Sequence, residues 1–377
     1  MLENRIIYFA NPNSPHIRCW IEMSKKIKYN IEIITIHENE RKLVNNLKIH
    51  YILPKWAKKT GIFRYIIGGI KARHVLRNND IYLLHAHNTS GYGLMALLSG
   101  FKYIVTTYGS EIYRARSRGK IYRFLIKKIL DKSQKVTASS IKMSRELESS
   151  FSIDPNKINL FSLGVDRNIF YRRPKPSLSD LHVKYNIKKS DKIWIINRRV
   201  LPLYNTNEVI RGFLQFTKQS KRACKLFVIC GEYDADYLAD IQALIEGTSS
   251  KNNVFFIKEF LSQNEIAKLL SIGDFSISVP NTDQLSSSIL ESISCCTIPI
   301  LSDIEAYESL KNKKIALFAK DLSAKGFYDI FLKTSSMTEE DKVKITRNGC
   351  TYINDYRSER QGLNSLVKLY SKNQNLI

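Results

Sequence analysis

The fold class predicted is α/β, with two doubly wound parallel-sheet domains facing each other across a cleft, and three observations predict it. Short apolar runs alternate with amphipathic stretches almost from end to end, the pattern of parallel strands covered by helices. That alternation lapses once, over 164–191, and then restarts. The length of 377 residues is enough for two domains of ordinary size, each with its own core.

The first series of strands is read at Ile6 to Ala10, Ile31 to Ile36, Ile81 to His85, Tyr103 to Thr107 and Val136 to Ser139. The break contains Tyr171-Arg172-Arg173-Pro174-Lys175-Pro176, a run that neither helix nor strand periodicity accommodates, and it reads as a linker. The second series is Ile193 to Asn197, Leu226 to Cys230, Val254 to Ile257, Phe275 to Val279 and Ile298 to Leu301, each followed by a helix-like segment. From about Ser336 the pattern is helical, ending on Leu363, Leu366, Val367 and Tyr370 at the spacing of one helix face. The domains expected are 1–165, a linker over 166–190, 191–355, and a C-terminal helix over 356–377 that packs back toward the first domain.

Composition narrows the function classes. The chain is 44% hydrophobic and 25% charged, which excludes disordered and fibrous classes. Neither the polar N-terminus, which leads into Ile6-Ile7-Tyr8-Phe9, nor any later segment has the pattern of an export signal or a spanning helix, so a cytoplasmic chain is expected. The six cysteines lie at no metal-ligand spacing and mostly within apolar runs, as reduced structural thiols do; His85 and His87 share one strand face without a third ligand in view.

A formal charge of +24 points to an anionic partner, and a compositional drift toward Lys, Ile and Asn accounts for part of the excess equally well. Two clusters carry much of it. Arg114, Arg116, Arg118, Lys120, Arg123, Lys127, Lys128 and Lys132 alternate with Ile121, Tyr122, Phe124, Leu125 and Ile126, as on a basic amphipathic helix; Lys55 to Lys59 precede Ile62, Phe63, Arg64, Ile66, Ile67, Lys71, Arg73 and Arg77. A solvated helix face and an anionic membrane surface both account for such clusters. Nucleic acid is not expected, because no base-reading motif accompanies the charge.

In open parallel sheets ligands sit at the carboxyl ends of strands, where helix N-termini point N–H groups at anions. The segment from Val279 to Glu291 offers this arrangement: a strand ends, a loop of small residues follows, and a helix opens at Ser286, Ser287, Ser288 and Ile289. Asp283 and Glu291 stand eight residues apart at either end. Helix capping by serine explains the segment as readily as a diphosphate site does.

The segment resembles the acidic motif of retaining glycosyltransferases of family 4, written here as Asp283-x7-Glu291 and followed by Ser292 to Asp303. Asn197-Arg198-Arg199-Val200-Leu201-Pro202 resembles the Gly-Arg-Leu opening of that family's second domain. Ile229-Cys230-Gly231-Glu232 resembles its strand-then-Gly turn, and Ser162 to Phe170 its Gly-Val-Asp linker. In the first half, Ser14 to Trp20, His85-Ala86-His87-Asn88 and Thr107-Tyr108-Gly109-Ser110-Glu111 resemble its N-terminal loop, His-x-His strand end and His-Gly-Ser-Asp turn.

The resemblance implies the GT-B fold and transfer of a sugar, with retention, from a UDP- or GDP-sugar; the nucleotide-sugar is the co-substrate and no other cofactor or metal is implied. Glu291 would hold the ribose, backbone N–H groups of Ser286 to Ser288 with Ile289 the diphosphate, and Arg199 the leaving group. Asp283 would orient the transferred sugar, Gly231 would let backbone approach the nucleotide, and Tyr108 and Glu111 belong to the catalytic turn. The implied acceptor is a glycan on a polyprenyl diphosphate at the inner face of a membrane, as in O-antigen or capsule assembly. Four positions depart from the family pattern. Tyr204 stands where a Lys is usual, Tyr108 where His is usual, Asp283 where Glu is usual and Cys296 where Gly is usual. Arg198, Lys258 and His16 are the candidate replacements for the missing Lys and His. An alternative that the departures motivate is an inactive nucleotide-sugar-binding subunit.

Overall fold

The computed structural model describes residues 5–40, 47–77, 82–115, 117–220 and 222–371, so Arg116 and Ile81 fall outside the described residues. The chain divides into two compact units, one formed by 1–163 with 360–377, the other by 164–359.

The first unit holds seven strands: β1 (Arg5–Phe9), β2 (Asn30–Thr35), β3 (Lys48–Tyr51), β4 (Leu83–His87), β5 (Tyr103–Thr106), β6 (Lys135–Ala138) and β7 (Ile158–Leu160). They form one sheet in the order β3-β2-β1-β4-β5-β6-β7, and every adjacent pair is parallel. The second unit repeats the design with β8 (Lys192–Ile196), β9 (Cys224–Ile229), β10 (Val254–Ile257), β11 (Phe275–Ser278), β12 (Ile298–Ser302) and β13 (Leu317–Ala319), in the order β10-β9-β8-β11-β12-β13. Both orders reverse direction next to the unit's first strand, between β1 and β4 and between β8 and β11. The strand ends diverge there and leave a crevice for a ligand.

The strands expected from apolar runs are present, β4 two residues later than expected. Strands β3, β7 and β13 were not expected. Each is three or four residues long, at a sheet edge, with two or more residues partly or fully exposed; polar residues interrupt β3 and β7, whereas β13 is apolar but only three residues long. The expected linker is partly helical, with a turn at Lys175–Leu178 and a helix at Ser179–Lys184.

The Gly164-Val165-Asp166 segment shows why its glycine is required. Gly164 has φ of +74°, and a Cβ there would lie 2.4 Å from the carbonyl oxygen of Ser358. The close approach lets Val165 bridge to Ser358 and donate its N–H to the Arg357 carbonyl.

The C-terminal helix Glu359–Ser371 lays Leu366, Leu369 and Tyr370 into the core of the first unit beside Ile6, Tyr8 and Trp20. Val367, expected on that face, is 43% exposed. The buried stripe runs through i, i+3 and i+4 from Leu366, which turns Val367 outward.

The expected basic helix from Arg114 begins only at Lys120, because Gly119, with φ of +90°, interrupts the chain; the helix is Lys120–Lys132. Its charge is partly structural. Arg123 donates to the Ser150 carbonyl at 2.7 Å and Lys127 to that of Phe151 at 2.8 Å, satisfying the last carbonyls of the helix Ile141–Phe151. Ile121 and Phe124 on the same helix are exposed, as are Trp56, Ile62 and Phe63 of the second cluster.

Candidate functional site

Each unit presents a polar constellation where its strand order reverses. In the second unit the constellation joins the residues after β8 to those after β11. Arg198 lies two residues past the end of β8, and its Nη2 donates to Asp283 Oδ2 at 2.9 Å, with both side chains largely buried. Its Nη1 donates to Ser286 Oγ and, at 3.4 Å, to Ser288 Oγ. The two serine hydroxyls are 3.0 Å apart.

These serines open the helix Ser287–Ser294. Ser286 has the extended backbone of an N-cap, yet no side chain caps the helix. The guanidinium holds the hydroxyls that would otherwise turn back onto the first N–H groups, which leaves a helix N-terminus beside a fixed cation: a place suited to an anion.

The side chain expected to carry the leaving-group charge, Arg199, lies farther out. It is half exposed, pairs with Glu232 at 3.3 Å and donates to the Tyr204 hydroxyl at 3.3 Å. Tyr204 is buried, and its ring lies 4.4 Å below the Arg198 guanidinium and 5.9 Å from that of Arg199. The position usually filled by a Lys thus serves as an aromatic platform for two arginines.

Asp283 also accepts from Tyr307 at 2.7 Å, a partner 24 residues away that no sequence signal indicated. Glu291, one helical turn beyond Ser288, is partly buried; burial lifts its carboxyl to about 7 against the opposing effects of Ser287, Arg198 and Asn197. Ile289 is buried in the core beneath this helix. Gly231 has φ of +56° and open space where a Cβ would be, so it supplies a left-handed turn after β9. Lys258 is exposed and donates to Gln242 at 3.2 Å; among the described residues no contact joins it to the Arg198 cluster.

In the first unit, β1 and β4 end at a cavity of about 260 Å³. Asn11 and Ser14 line it from the loop after β1, His87 and Asn88 from the end of β4, and Tyr108 from the turn after β5. His87 is buried and shares a hydrogen bond with the Tyr108 hydroxyl through Nδ1 at 3.1 Å, while its Nε2 has no hydrogen-bond partner among the described residues. Burial, with smaller effects of His85 and His16, drives the His87 imidazole well below its ordinary range, so it is neutral; burial also drives the Tyr108 phenol well up. His16 is exposed and its ring lies 5.3 Å from that of Tyr108.

Glu111 does not line the cavity. It is buried, and its carboxylate accepts the Tyr108 N–H at 2.8 Å and contacts Thr89 and Ser110 at 3.4 Å each. Burial raises its carboxyl, opposed by that backbone N–H. Glu111 braces the turn that carries Tyr108.

The far wall of the cavity is His37, Tyr65 and Tyr92, none of them expected from the sequence. The Tyr92 hydroxyl bridges Thr35 Oγ1 at 2.9 Å and His37 Nδ1 at 2.6 Å. Tyr65 packs against Gly91 so closely that a Cβ at 91 would lie 2.3 Å from the ring. Asn88 has φ of +102°, and its side chain accepts from both the backbone and the hydroxyl of Ser90. Strained backbone of this kind concentrates at binding sites. Among the described residues no three His, Cys, Asp or Glu side chains gather as a metal site would need.

A family model described as Glycosyl transferase 4-like matches residues 5–140, and one described as Glycosyl transferases group 1 matches residues 179–347. No curated protein sequence matches the chain. Among solved structures, a glycosyltransferase from Rickettsia africae ESF-5 is similar with a TM-score of 0.80 at 14% identity, covering 100% of both chains. HepE from Anabaena, solved with UDP and glucose, is similar with a TM-score of 0.79 at 11% identity, covering 98% of this chain and 100% of that one. WaaG, a glycosyltransferase involved in lipopolysaccharide biosynthesis, follows at 0.71 and 11%, covering 98% and 99%.

Proposed function

From the premise that this chain belongs to the group 1, family-4-like glycosyltransferases of the GT-B fold, we propose that it binds a nucleotide-diphosphate sugar at the second unit and transfers the sugar, with retention, to a glycan acceptor. The observation that carries the reading is the placement of Arg198 and Asp283 beside the uncapped N-terminus of the helix Ser287–Ser294, where the strand order reverses. The helix N–H groups and the Arg198 guanidinium receive the diphosphate and stabilise the charge that develops on it as it leaves. Protein groups supply this positive charge. Glu291, once ionised, accepts the two ribose hydroxyls. Asp283, oriented by Arg198 and Tyr307, accepts from hydroxyls of the transferred sugar.

The first unit's cavity receives the acceptor sugar. Its aromatic wall of Tyr65 and Tyr92 packs a sugar face, beside the polar side chains of Asn11, Ser14 and Asn88. HepE's complex with UDP and glucose supports a UDP-sugar as donor, and WaaG's role supports an acceptor in lipopolysaccharide-type assembly. A polyprenyl-diphosphate carrier and an anionic membrane surface fit the exposed Trp56, Phe63, Ile121 and Phe124 among lysines and arginines.

The test is a donor screen. Purified chain is incubated with UDP- and GDP-sugars and a membrane lipid extract, and nucleotide diphosphate release is followed. Release with one donor is expected. Binding of a nucleotide with no turnover in any extract would replace this reading with that of an inactive binding subunit.

A further inference from the structure

The turn after the helix Ser287–Ser294 ends on Cys296, whose φ of +58° lies in the left-handed region that favours glycine. Its Sγ lies 3.7 Å from Sγ of Cys350, in the helix Glu339–Tyr352. The two helices are in close contact through Gly349, where a Cβ would meet Ile293 Cγ2 at 2.8 Å. Both residues of the pair are partly exposed, whereas Cys224, Cys230 and Cys295 are buried. A hydrogen bond from Cys296 and the positive charge of Arg167 pull the Cys350 thiol below its ordinary range, against the effect of burial. The pair therefore places two thiols in contact at partly exposed positions, with Cys350 biased toward its thiolate.

We propose that Cys296 and Cys350 are a redox modification site that closes to a disulfide when it meets a low-molecular-weight disulfide such as oxidised glutathione. The Cys350 thiolate attacks one sulfur of the reagent, the reagent's S–S bond breaks, and one glutathione leaves as thiolate. Cys296 then gives its proton to solvent and attacks the Cys350 sulfur of the mixed disulfide, and the second glutathione leaves. Two electrons pass from the protein thiols to the reagent, whose disulfide becomes two thiols. Bond formation requires the sulfurs to approach by roughly 1.7 Å from their present contact, to the ordinary S–S length of about 2.05 Å. The product closes a loop between residues 54 apart in sequence and ties the C-terminal end of the helix that carries Ser288 and Glu291.

The test uses the full chain treated with oxidised glutathione at neutral pH, quenched with iodoacetamide and analysed by intact mass and peptide mapping. Expected results are a loss of two hydrogens, a peptide joining Cys296 to Cys350, and reversal by a dithiol. Cys296→Ser should trap a glutathione adduct on Cys350, and Cys350→Ser should abolish the cross-link, each with an unchanged circular dichroism spectrum. In the reduced protein, iodoacetamide should alkylate Cys350 roughly tenfold faster than Cys19 at neutral pH. Stable glutathione adducts on both cysteines without a cross-link would overturn the proposal, as would a cross-link through Cys295 or equal alkylation of Cys350 and Cys19.

Discussion

Arg198 Nη2 lies 2.9 Å from Asp283 Oδ2, and this ion pair ties the end of β8 to the loop after β11 at the point where the second sheet reverses its strand order. The same guanidinium holds Ser286 and Ser288, so one side chain sets both the charge and the shape of the helix N-terminus. Arg198→Ala should weaken UDP or GDP binding by about 2 to 5 kcal/mol, since truncation removes the cation paired with Asp283 among the described residues. Arg198→Lys should recover only part of this, because a point charge cannot address carboxylate and serines together. Calorimetric titration with the nucleotide diphosphate reads the effect, and unchanged affinity in the alanine variant would remove Arg198 from the site.

Glu291 gives the site a pH dependence. Its native carboxyl, raised by burial to about 7, keeps a proton that the unfolded chain has already lost. The associated stability is fully present below the ordinary carboxylate value and is lost as pH rises through about 7. Ribose binding requires the ionised form, so nucleotide affinity should rise between about pH 6 and about pH 8. Glu291→Gln should bind weakly at both values and lose the fall in stability with rising pH. Titrations and thermal melts at the two values check both signs.

The hydroxyl of Tyr108 is the hydrogen-bond partner of His87 Nδ1. Tyr108→Phe leaves both ring nitrogens of a buried histidine unmatched, at a stability cost of about 1 kcal/mol. Sugar transfer should fall by roughly tenfold while nucleotide affinity in the second unit stays at the wild-type value. A parallel loss of nucleotide affinity would contradict the division of labour between the two sites.

Gly164→Ala tests the segment between the two series of strands. The added methyl would meet the Ser358 carbonyl at 2.4 Å, at a φ that already disfavours alanine. The substitution should destabilise the second unit by about 2 to 4 kcal/mol, read as a lower denaturation midpoint. A wild-type midpoint would show that the 164 and 358 backbones separate at little cost.

Central strands were legible because they are buried on both faces, which forces unbroken runs such as Ile193 to Ile196 and Leu226 to Ile229. Edge strands β3 and β7 carry no such requirement: Lys48 and His50 interrupt the first and Asn159 the second, and neither left a run to read. The serine helix, Asp283 and Glu291 stood out because a strand-loop-helix passage is local in sequence, whereas Arg198 entered only as a candidate replacement for a missing cation, with Arg199 expected to carry the leaving-group charge. The local motif could not say which of two adjacent arginines turns inward. Tyr204 beneath Arg198 and Glu232 beside Arg199 settle that, and neither relation has a sequence signature.

The sequence by itself therefore determined the α/β class and the two series of parallel strands, and it marked the candidate site segment of the second unit, because burial and helix initiation act over neighbouring residues. Tertiary structure alone decided the rest: that Glu111 braces a turn instead of facing the cavity, that His37, Tyr65 and Tyr92 form a wall, that Tyr307 orients Asp283 and that Cys296 meets Cys350. Those relations join residues brought together by strand order, and strand order depends on how the sheet packs as a whole, which no stretch of neighbouring residues encodes.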